Sequence, residues 1–447
     1  MEVTVITKEE IRPSSPTPDH LKIYKHSLLD QLIPPTTPFT PIILFYVGGL
    51  DAECLKRSLS YTLPRFYPLA GRAKDDLSID CDDRGVLFTT ARVNQSLSQF
   101  LSRPDLASLQ YLLPRDLPTA TLAGTRISHV QVNSFECGGV ALAVCVAHRL
   151  LDGASVGIFL KAWAATSRGE EPAVIPDFSA PSMFPASDDM WLKDSAAAVG
   201  GLFIRTGKAI TKRFQFNSSA IVALKDLARS SDIESPSRVE AVSAFIWKHA
   251  WAASRKQNSG EEKLATILAH SVNLRKRLTP PMPGNSLGNI LWASYALYES
   301  DDSSEQSLPN MAAEVRKSIQ KLGGHFLESL TGDKVKAALS QSHREAREIV
   351  SKSDAAARFA CTSWCGFGYY DTDFGQGKPV WMSTVAGSNG AEVFLSGAIL
   401  YDTRDGDGVE AWIVMDEKEM ELLEGEEGMR EFAVSNPSPL RSTGTPP

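Results

Sequence analysis

ALAVCVAHRLLDGAS, Ala141 to Ser155, is the stretch from which the rest of this chain can be read. Val140, Leu142, Val144 and Val146 alternate with Ala141, Ala143, Cys145 and Ala147. A strand with one branched face, one small face and no polar face is a buried strand. His148 leaves it on the branched side. Asp152 and Gly153 follow in a tight turn, after which Val156, Phe159, Leu160 and Trp163 recur at helical spacing and Gly169 suits the helix end. A histidine at such a strand-to-helix turn is held rigidly and can face a cleft. With a pKa near ~6.5, a neutral imidazole is a natural base for a hydroxyl or amine, and Asp152 is placed either to orient it or to cap the helix.

Upstream, Arg126 to Ser134 alternates as a strand and Cys137-Gly138-Gly139 turns it back, so a hairpin positions His148. Earlier still, Val3 to Thr7 and Ile42 to Tyr46 read as strands, SLLDQL (Ser27 to Leu32) precedes a proline cluster, and Asp51 to Leu63 has helical spacing. Leu77 to Asp80 and Val86 to Ala91 flank CDDRG and read as a hairpin. Downstream, Pro172 to about Lys212 is proline-bearing and weakly patterned, as expected of a crossover between domains. A strand near Lys212 to Phe216 and a helix near Ser218 to Ser230 open the second half. Ser237 and Glu240 then form a capping box ahead of another helix. Further strands are expected at Leu264 to Val272, Ile290 to Leu297, Ala360 to Cys365, Val380 to Val385, Ala391 to Ile399 and Glu410 to Met415, with a helical stretch from Pro309 to Ser353 and an Asp416-capped helix. The tail NPSPLRSTGTPP has a disordered composition.

The chain has 447 residues, enough for about two or three domains. Hydrophobic residues make up 43% and charged residues 22%, an ordinary globular balance, and a net charge of -7 without a basic stripe argues against nucleic acid as a partner. The first residues carry charge and no signal-peptide core, and no apolar run approaches the ~20 residues of a membrane helix. A cytoplasmic monomer that does not engage membranes is the expectation. The six cysteines are scattered and read as reduced thiols. Cys361 and Cys365 lack the second ligand pair that a metal site needs.

Four other motifs compete for attention. GNSLG, Gly284 to Gly288, matches a serine-hydrolase pattern, but prolines precede it and a strand follows, so it reads as a loop. DTRDGDG, Asp402 to Gly408, has Ile413 where a calcium loop needs Glu and reads as a hairpin turn. The run EKEMELLEGEE, Glu417 to Glu427, reads as a solvated helix face. DFGQGKP, Asp373 to Pro379, is a sharp glycine-bearing loop around a buried or capping aspartate.

HRLLDG at His148 to Gly153 and DFGQGKP at Asp373 to Pro379, in this order and at this separation, resemble the HxxxDG and DFGWGKP pair of the plant BAHD acyl-CoA-dependent acyltransferases. FYPLAGR (Phe66 to Arg72), SRVEAVSAFIW (Ser237 to Trp247), LRKRLTPPMP with LGN to Asn289, and TSWCGFGYY (Thr362 to Tyr370) extend the resemblance over nearly the whole chain. The opening IRPSSPTPDHLKIYKHSLLDQL looks most like the vinorine-synthase-like branch, whose members mostly acetylate alkaloid or terpenoid alcohols.

The resemblance implies an α/β fold of two chloramphenicol-acetyltransferase-like domains of similar size with a solvent channel between them. Residues 1–175 would form the first domain, 176–212 the crossover and 213–447 the second, with about 366–389 packing on the first. It implies that acyl-CoA, acetyl-CoA above all, is a co-substrate with no tightly bound cofactor, and that a small-molecule alcohol is the acceptor. His148 would be the general base, and Trp364 and Thr362 donors to the oxyanion. Asp152 would pair with Arg275 in an architectural role. Ser237 and Arg238 would contact phosphate, and Asp373, Gly375 and Gly377 would lie near the coenzyme arm. Gln376 departs from the family tryptophan, and Ser286-Leu287 replace the usual aromatics before Gly288-Asn289. Transfer of a larger aliphatic or aromatic acyl group, N-acylation of an amine, and a non-catalytic binding module are the alternatives.

Overall fold

The structure is a computed structural model that describes residues 1–440 apart from 172–173, 189, 258–264, 300–306, 331, 352–356 and 386–389. Two mixed sheets, each with helices packed on it, carry the architecture. Strands β1 (Val3–Ile11), β2 (Thr40–Tyr46), β3 (Val86–Val93), β4 (Ser128–Phe135) and β5 (Val140–Val146) build the first sheet. The second contains β6 (Ala209–Phe216), β7 (Ala265–Asn273), β8 (Leu291–Glu299) and β9 (Ala357–Ser363). The chain then places β10 (Trp381–Ser383) against β2 at the edge of the first sheet before returning to the second as β11 (Gly397–Asp402), β12 (Val409–Asp416) and β13 (Val434–Ser435). The orders are β1-β3-β4-β5-β2-β10 and β8-β7-β9-β11-β12-β6-β13.

β5 is buried along its whole length, as its lack of a polar face requires, and pairs antiparallel with β4 and β2. Three helices matter for the site: α1 (Leu28–Gln31), closed by a capping box between Ser27 and Asp30; α2 (Ala52–Thr62), capped by Asp51; and α3 (Gly153–Ser167), capped by Asp152. In the second half, α4 (Arg238–Gln257) packs on the sheet, and α5 (Leu308–Gln320), α6 (His325–Glu328) and α7 (Val335–Ser351) curve around the β8 edge. The chain closes with α8 (Glu417–Gly425), capped by Asp416.

Several local expectations are corrected. Leu77 to Asp80 and Val86 to Ala91 do not form a hairpin. Ser78–Asp80 joins a small sheet with Ile23–Lys25 and Arg72–Ala73, while β3 pairs with β1 and β4. The CDDRG turn diverts the chain because Asp83, at φ 57°, gives its carboxylate to the Thr17 N–H, the Thr17 hydroxyl and Lys22 Nζ. The expected single helical stretch from Pro309 is broken at Gly323-Gly324, where Gly324 takes φ 46°. Ala391 to Ile399 splits between a short strand, Val393–Leu395, that pairs with Ile204–Thr206, and β11. The charged run at Glu417 is not wholly solvated: Glu419 is fully buried and accepts from Arg205 Nη2 at 2.9 Å. Asn436 to Ser438 are held, with Asn436 Oδ1 accepting from Arg213, Asn436 Nδ2 donating to the Pro104 carbonyl, and Ser438 Oγ to the Leu101 carbonyl. The expectations for Pro172, Leu264, Lys352-Ser353, 386–389 and 441–447 lie outside the described residues. Among the described residues, no helix is long and apolar enough to cross a membrane.

Candidate active site

His148 sits two residues beyond β5, where the chain turns into α3. Its Nδ1 lies 3.0 Å from Asn289 Oδ1. Asn289 Nδ2 donates to the His148 carbonyl and to Asp30 Oδ1, both at 2.8 Å, and its backbone N–H donates to the same Asp30 oxygen at 2.8 Å. Because both amide hydrogens are committed, Oδ1 acts as acceptor and Nδ1 of His148 carries the proton. Nε2 therefore presents its lone pair, and it has no partner among the described residues. Asp30 is fully buried, and its second oxygen accepts from the Ser27 N–H at 2.9 Å and the Ser27 hydroxyl at 2.7 Å. An α1 cap, a loop asparagine and the turn histidine thus form one chain of hydrogen bonds.

Asp152 points elsewhere. Its Oδ1 accepts from the Ser155 N–H at 2.9 Å and Arg275 Nη2 at 3.0 Å, and its Oδ2 accepts from Arg275 Nη1 at 2.8 Å and the Ile290 N–H at 3.2 Å. Arg275 adds bonds from Nε to the Ser286 carbonyl and from Nη2 to the Ser155 hydroxyl and the Gly288 carbonyl. Both partners are buried, so this bidentate pair fastens the α3 turn to the Ser286–Ile290 loop of the second half.

Trp364 follows β9, its N–H bonded to the Leu400 carbonyl at 2.8 Å. Its indole covers Gly153 so closely that a Cβ there would stand 3.1–3.2 Å from ring atoms. The Tyr369 hydroxyl donates to the Gly153 carbonyl at 2.6 Å. Thr362 lies on β9 opposite Ser271 and Ile399. Trp364 Nε1 and Thr362 Oγ1 have no partner among the described residues.

Ser237 and Arg238 open α4. Ser237 Oγ accepts from the Glu240 N–H at 3.2 Å and Glu240 Oε2 accepts from the Ser237 N–H at 2.8 Å. Burial alone would raise the Glu240 carboxyl, but the Arg316 guanidinium and these bonds bring it below its usual value. Arg238 pairs with Asp402 and donates to the Gly406 carbonyl at 2.9 Å, while the other Asp402 oxygen accepts from the Gly366 N–H at 2.6 Å. Arg238 is thereby tied to the loop that follows Trp364.

Asp373, Gly375 and Gly377 are not brought to His148. Asp373 Oδ1 accepts from the Gly375 and Gly377 N–H groups at 2.7 and 3.0 Å, and the Asp373 carbonyl accepts from Arg168, at the other end of α3 from Gly153. A helix of this length spans about 22 Å. Phe374 packs against Tyr46 and Trp163, whereas Gln376 is exposed beside Gly48, so the departure from tryptophan leaves the loop's anchor in place. Ser286, the would-be hydrolase nucleophile, is fully buried and donates to Asp177 at 2.6 Å.

The residues that sequence reasoning missed are Asn289 and Asp30. The S-x-x-D spacing of Ser27 and Asp30 announces a cap, but nothing local announces that its carboxylate also holds a residue 259 positions away.

A sequence model described as the Transferase family matches residues 1–429. Epi-neemfruitin B 7-O-acetyltransferase of Melia azedarach is 36% identical over 98% of this chain and 100% of that protein. The crystal structure of vinorine synthase superposes with a TM-score of 0.79 at 33% identity, covering 98% of this chain and 100% of that one. TRI101 of F. sporotrichioides, complexed with coenzyme A and T-2, shares the fold with a TM-score of 0.68 at 16% identity over 92% and 99% of the two chains. With its HxxxDG turn, its DFG-type loop and near-complete coverage by these matches, the chain belongs to the Transferase family, the BAHD acyl-CoA-dependent acyltransferases.

Proposed function

We propose that this chain O-acetylates a hydroxyl of a polycyclic specialised metabolite, an alkaloid or a terpenoid, with acetyl-CoA as co-substrate and no tightly bound cofactor. The observation that carries the reading is Nε2 of His148, without a partner among the described residues and fixed as a proton acceptor by Asn289 and Asp30. Nε2 takes the proton of the acceptor hydroxyl as its oxygen attacks the thioester carbonyl. Trp364 Nε1 and Thr362 Oγ1, without partners among the described residues, donate to the resulting oxyanion, a role whose loss typically costs about 100–1,000-fold. Collapse expels the coenzyme A sulfur, which takes the proton back from the imidazolium. Ester and free thiol result, with no acyl-enzyme.

Asn289 and Asp30 act as positioning residues, and Asp152 with Arg275 as the brace of the turn. Ser237 and Arg238 receive donor phosphate at the start of α4, where helix N–H groups and a guanidinium favour anions. Unchanged coenzyme A affinity in Arg238→Glu would remove that contact from the proposal. The setting proposed is a monomer in the cytoplasm, where acyl-CoA is available. Incubation with acetyl-CoA and a panel of polycyclic alcohols, read by mass spectrometry, tests the function. An ester gaining one acetyl group is expected, and its equal formation by His148→Ala would overturn the role of His148.

A further inference from the structure

A cavity of about 630 Å³ lies beside β8, the edge strand of the second sheet, under the end of α5, α6 and α7. Tyr295, Leu322, Phe326 and Ile349 give it apolar walls. A smaller cavity of about 120 Å³ shares Ala293 and Tyr295 with it and reaches Leu29 and Leu291. Leu29 adjoins Asp30 in sequence, and Leu291 lies two residues beyond Asn289, so the smaller cavity is lined from the same two chain segments that carry the supports of His148. From Asn289 to Ala293 is about 13 Å of strand-like chain. Volumes of this order hold drug-sized polycyclic molecules.

The ionisable groups around the larger space are unbalanced. Among the described residues that line it, Lys321, His325 and Lys334 stand against one carboxylate, Glu345, which also accepts from Gln341 Nε2 at 3.0 Å. Both lysines are exposed, and neither has an ion-pair partner among the described residues. Deeper in, burial pushes the Tyr295 hydroxyl up to about 12, so it stays a neutral donor, and it has no hydrogen-bond partner among the described residues. His343, on the wall of the smaller space, is brought by burial to about 4 and is uncharged at neutral pH.

We propose that the two joined cavities take the acceptor, and that Lys321 and Lys334 make the enzyme select a neutral or anionic oxygenated polycyclic alcohol over one carrying a protonated amine. The inference rests on the acetyltransferase reading and narrows its acceptor to the terpenoid-like class. A ring carbonyl or ether oxygen would be met by Tyr295, whereas an ammonium entering beside two lysines meets like charge that the single carboxylate of Glu345 offsets only in part.

The test uses the full-length enzyme, acetyl-CoA and two probes: a neutral hydroxysteroid and the same ring skeleton carrying a tertiary amine. The ratio of their kcat/KM values is expected to favour the neutral probe by about tenfold at low salt, to shrink as salt rises, and to fall to about one or below in K321E/K334E, chiefly through KM. A ratio near one in the wild type, or one that the double substitution leaves unmoved, overturns the proposal. Should neither probe be acetylated, the acetyltransferase reading fails for this class. The inference is then decided by calorimetric titration of the two probes, where equal affinities, or no binding of either, refute it.

Discussion

His148 and Asp152 are four residues apart in one turn, yet their surroundings are opposite. The histidine spends one nitrogen on Asn289 and keeps the other without a partner among the described residues, while both oxygens of Asp152 accept two bonds each, filling the four lone-pair sites a carboxylate offers. A group that is to exchange a proton with substrate needs an unfilled position; a group that is to hold a turn needs none. The contrast separates chemistry from architecture within a six-residue motif.

The largest expected effect tests the open side of that contrast. His148→Ala should lower turnover about 100–10,000-fold with little change in melting temperature. Turnover above half of wild type would break the comparison. On the saturated side, Asp152→Ala and Arg275→Ala should each cost about 3–5 kcal/mol in denaturant unfolding, because each strands a buried charge, and the double variant should lose less than the sum. Strict additivity would dissolve the pair as a unit. Asn289→Ala should sharpen the boundary between the two roles, with turnover falling about 10–100-fold by analogy with the outer partners of metal-bound histidines. The acid limb of its kcat profile should move, a change that mere loss of packing would not produce.

The smallest effect comes with mild acid. Burial brings His129, His270 and His343 to about 4. An unfolded histidine takes its proton near ~6.5, so between these values the unfolded chain binds more protons and stability falls as pH falls. From pH 7 to 6 the three together should cost about 1–2 kcal/mol, seen as a lower melting temperature. A melting temperature flat over that range would show that these rings are not held neutral. Activity lost in acid must then be read against this drop before it is assigned to His148.

The open side of the motif was largely legible in the sequence, since an alternating apolar strand, a turn histidine and a helical repeat are short-range patterns. The same holds for Asp152 as a cap. The supports of His148 were not legible: Asn289 and Asp30 lie 141 and 118 positions from it, and periodicity says nothing about which distant loop arrives at a turn. The charged run at Glu417 misled for a related reason, as the cation that lets Glu419 be buried, Arg205, comes more than 200 residues earlier. The false hairpin at CDDRG followed from reading two adjacent strands as partners when Asp83 was committed to Thr17 and Lys22.

The crossing of β10 into the first sheet bears on how the protein is made. β2 is flanked by β5 on one side and by Trp381–Ser383 on the other, and its residues Ile42 to Tyr46 are almost wholly buried in the finished fold. More than 200 residues separate β5 from β10. At ribosomal speeds of about 5–20 residues per second, the nascent first sheet waits on the order of 10–50 s with that apolar edge uncovered. During synthesis β2 therefore stays an open sheet edge until β10 is made, and a polypeptide released before residue 381 is expected to aggregate through it instead of surviving as a free-standing half.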